Sequence, residues 1–472
     1  MSTFSSLNAA TTALWSHRRG LDVTGQNIAN VNTEGYSRQR ADLRAIGGSP
    51  VPAFYSTSTG IGAGVSAESV TRIRDAFLEG RGHTERANSA RLAAETDAYT
   101  QVQSAYREPG DTGIQSLMGE MWSAWGDVDN GPHELATRGQ VLEKLKTLVG
   151  GLQFSHASMG AQWKQTQENL GVLVSDVNKA AETVAMLNGA IQRATQSGLP
   201  ANDLTDQRDV LIMRLAEQVG AVVRPADDGM LDVVVGGMSL VTGKTASTLS
   251  VAGSLSPDSV ATDPPRIVTE SGGFTVRAGG TAAGQLHALN VVIPGSRADL
   301  DTFANSLATV LNTQHKLGYD LDGAAGGDLL GTGNPLIPLT ASTIGVLVTD
   351  KRQIAASAVP PGGVPATPAL DSGNADAIGQ LRLSTTGPDA NYRAMIVELG
   401  VQAAVTERNH GIQQVITTQV DAARESVAGV NLDEEMTNML SFQHAYSAAA
   451  RLVTAIDETL QQLITRTGRV GL

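Results

Sequence analysis

The feature that most constrains this chain is a heptad run at each of its ends. From Leu432, alternating steps of three and four give Leu432, Glu435, Met439, Phe442, Tyr446, Ala449, Val453, Ile456, Leu460 and Leu463. Only Glu435 breaks this apolar seam, whose 3.5-residue repeat asks for a partner helix. Asn431 stands where a helix cap belongs, with Glu434 three residues on, and Asp433 and Glu435 also favour the positive helix end. The helix so predicted, Gly429 to Ile464, is roughly 50 Å long at ~1.5 Å per residue. Arg466, Gly468 and Arg469 give it a basic, glycine-broken end. At the other end the same stepping gives Phe4, Leu7, Thr11, Leu14, Arg18, Leu21, Gly25 and Ile28, in which Leu7, Leu14, Leu21 and Ile28 lie one heptad apart. An ordinary amphipathic helix packed on a globular core would carry a similar short run. Two such runs, at opposite ends of 472 residues, predict that the chain brings its termini together as a coiled coil.

Composition narrows what lies between. A chain of 472 residues exceeds one compact core, so several domains are expected. The formal charge of -13 and the lack of a basic stripe exclude a nucleic-acid partner. The sequence has no cysteine, which excludes disulfides, thiol catalysis and cysteine-held zinc and suits export through a narrow channel. No apolar run approaches the ~18 residues of a membrane span, so membrane insertion is not expected. His17, Arg18 and Arg19 fall where a secretory signal would need its apolar core.

After the first helix comes Asn27-Ile28-Ala29-Asn30-Val31-Asn32-Thr33-Glu34-Gly35-Tyr36-Ser37-Arg38-Gln39. Asn and Thr side chains bond to nearby backbone and Gly35 tolerates positive φ, so a helix stop and an ordered turn follow. The string, carried by Asn27, Ile28, Ala29, Asn30, Thr33, Gly35 and Tyr36, closely resembles the N-terminal signature of the flagellar axial proteins (rod, hook and hook-associated), usually NIANxxTPGY. It departs from that form at Glu34, where proline is usual and the turn correspondingly stiffer. Ser37-Arg38-Gln39 narrows the resemblance toward the hook-associated protein 1 family. Gly62-Ala63-Gly64-Val65 and Ile73-Arg74-Asp75-Ala76-Phe77-Leu78 resemble the segment that follows in that family; the glycines lack the spacing of a dinucleotide fingerprint.

Residues 83–220 read mostly helical, with apolar residues at three- and four-residue spacing over Leu117 to Leu152 and Trp163 to Ala194. Asn202-Asp203-Leu204-Thr205-Asp206-Gln207-Arg208-Asp209 reads as the start of a capped amphipathic helix with its charges outside. It is also characteristic of the same family. The period then changes: Val222–Arg224 with Leu231–Val235, and Arg266–Glu270 with Phe274–Arg277, predict two β-hairpins. Helix returns over Ala283 to Lys316, with a break or kink at Pro294-Gly295. Gln314 to Gly323 again resembles the family; Asp320, Asp322 and Asp328 lack calcium-loop spacing and a closing glutamate, leaving a plain turn. Residues 329–384 return to β and loop, with a linker at Pro360, Pro361, Pro365 and Pro368, and a long helix starts at Asn391. Gly429 to Met436, Phe442-Gln443-His444-Ala445-Tyr446 and Ala448 to Arg451 complete the resemblance at the C-terminus. The fold expected is mainly α with β-rich insertions, a nested multi-domain chain. Its terminal coiled-coil domain comprises residues 1–60 and 430–472. A mostly helical middle domain takes 61–222, 284–328 and 385–429, and β-rich outer segments take 223–283 and 329–384.

No catalytic constellation emerges. The eight histidines show no HExxH or HxH spacing, and there is no nucleophile elbow or P-loop. Catalytic, cofactor-binding and metal sites are therefore expected to be absent, and the function expected is structural. The resemblance implies a subunit of the bacterial flagellum forming the junction zone between hook and filament, with the terminal coiled coil lining an inner tube. It implies export by the flagellar type III route without a cleaved signal, an extracellular location, and self-association into a ring or tube. It further implies contacts with the hook protein and the next hook-associated protein, and an export chaperone at the C-terminal helix. The expected assembly seam is Phe4, Leu7, Leu14, Leu21 and Ile28 with Leu432, Met439, Phe442, Tyr446, Val453, Ile456, Leu460 and Leu463. Isolated heptad helices gain little from their own propensity, so these ends are expected to order against each other and their neighbours during assembly.

Overall fold

The structure is a computed structural model that describes residues 3–47, 62–364 and 370–467. Pro365, Pro368, Gly468 and Arg469 lie outside the described residues, as does the side chain of Phe4. The chain begins with α1 (Thr3–Ala29), β1 (Gln39–Ile46), β2 (Gly64–Arg72), α2 (Ala76–Tyr106), α3 (Ile114–Asn130), α4 (Leu135–Gln196) and α5 (Asn202–Val219). Short strands follow: β3 (Val222–Pro225), β4 (Leu231–Val235), β5 (Met238–Thr242), β6 (Thr245–Ala246), β7 (Leu249–Ala252), β8 (Arg266–Thr269) and β9 (Thr275–Val276). Then come α6 (Gly280–His287), α7 (Ile293–His315), β10 (Leu330–Gly331), β11 (Gly345–Val346), α8 (Gly373–Gln380), α9 (Pro388–Ala428) and α10 (Leu432–Thr467). The fold is mainly α with β-rich insertions and a long C-terminal helix pair.

These elements form two compact units, one of residues 1–86, 178–247 and 415–472, the other of residues 87–177 and 248–414. In the first, α1 pairs with α10 and also packs on the β1–β2 hairpin, where Ser16 Oγ donates to the Val65 carbonyl at 2.9 Å. The sheet β3-β4-β5-β6 is antiparallel, with Val222 opposite Val234 and Val223 opposite Val233. Its buried Val233, Val234, Val235 and Val241 belong to the same unit's core as Ile212, Leu215 and Val219 of α5. The second unit is centred on fully buried Met118, Met121 and Trp125 of α3, Leu145, Leu148 and Trp163 of α4, and Leu300 and Leu307 of α7. Two of its buried indoles are hydrogen-bonded: Trp122 Nε1 donates to Asp389 at 2.7 Å, Trp163 Nε1 to the Leu289 carbonyl at 2.9 Å. It also holds the antiparallel sheets β7-β8-β9 and β10-β11.

Several elements differ from the sequence expectation for identifiable reasons. The apolar stretch from Leu117 to Leu152 is cut at Gly131-Pro132, whose proline cannot continue α3. In contrast, α4 runs 62 residues through Gly150, Gly151 and Gly160. Burial of its leucines and Trp163 outweighs the ~1 kcal/mol that each helical glycine costs. No break occurs at Pro294-Gly295; Ala288–Val292 forms a π-helical turn and Val292 and Ile293 keep right-handed helical dihedrals. The proline removes one N–H, and the turn before it widens to accommodate the ring. Asp320, Asp322 and Asp328 do not converge: Asp320 caps its own turn, Asp322 pairs with Arg352 and Asp328 with Lys316.

Candidate assembly interface

Helix α1 ends where Asn30 Nδ2 donates to the Gln26 carbonyl at 2.9 Å and Thr33 N–H returns to the Asn30 carbonyl at 2.9 Å. Gly35 then turns at φ 77°, the left-handed region where side chains are disfavoured. A Cβ there would lie 2.1 Å from Val210 Cγ2 on α5, so glycine is required twice over. This turn aims Tyr36, Ser37, Arg38 and Gln39 in different directions.

Asn27 is the hub. Its Nδ2 donates to the Gln39 carbonyl and to Glu435 Oε2, both at 2.9 Å, while its Oδ1 accepts from Tyr36 O–H at 2.8 Å and Gln39 N–H at 3.0 Å. One amide thus ties the end of α1 to its own turn and to α10. Glu435 is 2 % exposed, and its second oxygen takes Arg38 Nε at 2.8 Å. Arg38 also reaches Glu434 at 2.7 Å, and its backbone N–H donates to the Ala428 carbonyl at 2.9 Å. A buried carboxylate is tolerable only when paired and hydrogen-bonded, and here each oxygen has a donor. Burial, then the charges of Asp206, Asp203 and Glu435, push the Tyr36 phenol up to about 12, so it remains a donor throughout the physiological range. Asn431 caps α10, accepting from Asp433 N–H at 2.9 Å and Glu434 N–H at 3.3 Å.

A second arm reaches α5. Ser37 Oγ donates to Asp206 at 2.9 Å, and Arg72 of β2 bridges Asp206 at 2.7 Å and Asp209 at 2.9 Å. Although burial opposes the charge, Asp209 and Asp206 hold the Arg72 guanidinium above its ordinary pKa. Arg74 also pairs with Asp209. Asn202 Nδ2 donates to the Val70 carbonyl at 2.9 Å and Gln39 Oε1 at 3.1 Å instead of capping α5. Arg208 points the other way, to Asn188 Oδ1 at 3.1 Å and the Gly229 carbonyl at 2.8 Å, and its burial lowers its pKa. Two of the charges expected outside α5 are therefore inside, Asp206 and Arg208 being buried, while Asp203 is exposed. A neighbouring cavity of about 590 Å³ is lined by residues 30–37 with Arg74, Arg86, Asp421 and Arg424. Several of its charges are already matched, Arg86 with Glu217 and Asp421, Arg424 with Glu79 and Asp421.

The predicted seam residues divide. On α10, Ala449 and Ile456 are buried and Met439, Phe442, Val453 and Leu460 half-buried, whereas Leu432, Tyr446 and Leu463 are exposed. On α1, Leu7, Leu14, Leu21 and Ile28 are all half-buried. The positions most excluded from solvent are smaller: Ala10, Ser16, Gly20, Val23, Thr24 and Asn27. A helix held between α10 and a β-hairpin approaches both closely, so small residues occupy the centre and leucines flank it. Glu435, which looks like a flaw in the seam, is its principal polar tie. Among the signature residues, Asn27, Asn30, Thr33, Gly35 and Tyr36 build the turn, while Ala29 is exposed. The roles of Arg38, Gln39, Arg72 and Glu435 were not separable from sequence; the only hint was a carboxylate at an apolar heptad position. Among the described residues no group of three or more metal-ligating side chains converges, and no helix is long and apolar enough to cross a membrane.

Comparison with known proteins gives three matching family models. One, described as flagellar hook-associated protein FlgK helical domain, covers residues 99–330. Flagella basal body rod protein covers residues 7–36, and flagellar basal body rod FlgEFG protein C-terminal covers residues 424–466. The latter two fall on the two sides of the Asn27–Glu435 tie. Flagellar hook-associated protein 1 of Bacillus subtilis is 28 % identical over 513 aligned residues, covering 100 % of this chain and 99 % of that one. The Escherichia coli protein of the same name is 24 % identical over 547, covering 97 % and 99 %. The solved flagellar hook junction protein FlgK from Burkholderia pseudomallei aligns with a TM-score of 0.62 at 16 % identity, over 74 % of this chain and 100 % of that chain. At that identity the likeness is one of fold.

Proposed function

We propose, for a chain that belongs to the flagellar hook-associated protein 1 family and is a structural subunit of the bacterial flagellum, a place in the junction between hook and filament. The observation that carries this reading is the polar tie that joins the signature turn to the start of α10 through Asn27, Arg38 and Glu435. It gives both termini one rigid attachment, which is what a subunit built around paired terminal helices needs. Residues 1–60 and 430–472 then act as the inner, tube-lining part. Residues 61–222, 284–328 and 385–429 form the middle domain, with 223–283 and 329–384 outermost.

Copies of this chain pack side by side as a ring or tube through faces that the α1–α10 pair leaves open. Leu432, Met436 and Leu440, four residues apart on α10, and Trp15 on α1 are exposed apolar groups suited to that role. The hook protein and the next hook-associated protein are its axial neighbours. An export chaperone covers the C-terminal helix before the type III apparatus delivers the chain, without signal cleavage, to the cell exterior. The role is structural: the carboxylates of the interface are committed to guanidinium and amide partners, not arranged as acid and base. Electron microscopy of cells lacking this gene, with flagellin measured in the medium, tests the reading. Complete hooks without filaments and leaked flagellin are expected; missing hooks, or normal filaments and motility, would refute it.

A further inference from the structure

Two contacts that align α1 on α10 stand one heptad apart on both helices, and neither is a leucine contact. At one, Asn27 Nδ2 donates to the buried Glu435 at 2.9 Å. At the other, a Cβ added to Gly20 would lie 2.7 Å from Cε1 of Phe442. Moving from Asn27 back to Gly20 corresponds to moving from Glu435 on to Phe442, so the helices run antiparallel and both contacts keep the coiled-coil period.

We infer that the Asn27–Glu435 and Gly20–Phe442 pairs form a two-point register key, admitting one alignment of the terminal helices and rejecting those shifted by a heptad. Leu7, Leu14, Leu21 and Ile28 repeat every heptad, so a seven-residue slip returns leucines to leucine positions. That row alone does not choose an alignment. Slipped one way, Glu435 faces Gly20 and Phe442 faces Ala13. A buried carboxylate then has no donor, and a ring meets a methyl group where glycine had left space. Slipped the other way, Phe442 lies on Asn27, whose amide loses its partner on α10, and Glu435 passes beyond Ala29, the last residue of α1. Arg38, fixed by its backbone bond to the Ala428 carbonyl, follows Glu435 in neither case. A single polar group in an apolar seam is a well-attested way to specify register; the glycine-and-ring contact adds a steric check one heptad away. The inference stands on the helix pairing and holds whichever axial segment the chain occupies.

The natural chain has no cysteine, so introduced pairs report unambiguously. One heptad beyond Gly20–Phe442, the observed register sets Ala13 opposite Ala449. Ala13→Cys with Ala449→Cys therefore reads the native alignment. Ser6→Cys with Ala449→Cys, and Ala13→Cys with Ile456→Cys, read the two slipped ones. Each full-length chain is oxidised at high dilution and its intramolecular disulfides are mapped. With the key intact, only the first pair should close. In Glu435→Leu, which preserves apolar contact between the helices, a slipped pair should close at least as fully as the native one. Gly20→Ala added to it should deepen the shift, and Glu435→Gln, which still accepts from Asn27, should keep the native product. Native closure alone in Glu435→Leu, slipped closure with the key intact, or no native closure with it intact would each overturn the inference.

Discussion

Replacing Asn27 by alanine isolates the hub of the interface. The substitution removes four hydrogen bonds at once, those to the Gln39 N–H and carbonyl, to Glu435 and to Tyr36. Water can reach the half-buried Tyr36, but Gln39 and Glu435 are buried and stay so. Each buried polar group left without a partner costs about 1–3 kcal/mol, and Glu435 retains Arg38 on its other oxygen. Taking the three buried groups near the low end gives ~4 kcal/mol, close to a thousandfold in the opening equilibrium at ~1.4 kcal/mol per decade. The Arg38 amide is a suitable reporter because it donates to the Ala428 carbonyl and does not touch Asn27. Its hydrogen exchange in the purified full-length chain should accelerate by roughly that factor, within the limit set by local opening. Asn30→Ala is the control: its side chain makes only exposed hydrogen bonds, donating to the Gln26 carbonyl and accepting from Thr33 Oγ1, where water can replace it, and should change exchange by less than about tenfold, as expected for under ~1 kcal/mol. Equal effects from the two substitutions, or unchanged exchange in Asn27→Ala, would refute the assignment of Asn27 as hub.

Gly35→Ala should destabilise the turn by ~3 kcal/mol, from a left-handed backbone worth ~1–2 kcal/mol and overpacking against Val210. Val210→Ala should recover the packing part of that loss but not the backbone part, measured as the denaturation midpoint of each full-length variant. A pH effect follows from His315, whose Nε2 accepts from Ala355 N–H at 2.8 Å while Nδ1 faces the Gly327 carbonyl at 2.7 Å. Burial holds this imidazole below its ordinary 6.5, so the unfolded chain takes the proton first. Stability should therefore be level above about pH 6.5 and decline below it by at most ~1.4 kcal/mol per pH unit for this residue, until the folded form also protonates. Burial lowers His83 and His156 too, with the Arg297 guanidinium also acting on His156, and both contribute with the same sign. Melting temperatures from pH 7.5 to 5.5 test this, and a flat profile would contradict it.

What the sequence revealed and what it hid divide along the range of the forces involved. Heptad spacing is local and periodic, so the pairing of α1 with α10 could be read from Leu7 to Ile28 and from Leu432 to Leu463 without knowing what else they touched. The β1–β2 hairpin could not: its strands carry Arg40, Asp42, Arg44 and Glu68 and bury little, so the alternation that marks a half-buried strand is weak. The eight-residue α8 was hidden for the opposite reason. Its Gly373-Asn374 start reads as a turn, and only burial of Ala375 and Ile378 in the second unit makes the segment helical. The interface shows the same division at the scale of single residues. Asn27 and Glu435 are separated by 408 positions, and each has an adequate local explanation, one as a helix-ending asparagine and the other as a favourable charge in a first turn. Those explanations compete with the distant one and cost nothing to accept. What distinguishes the distant role is that Glu435 occupies an apolar heptad position. A charge in a seam must either be removed from it by slippage or be met by donors, and the pattern alone cannot say which. The fold decides by bringing Arg38 and Asn27 to it through a turn that only Gly35 permits. The specificity of this interface therefore lies in the residues that look least like a coiled coil.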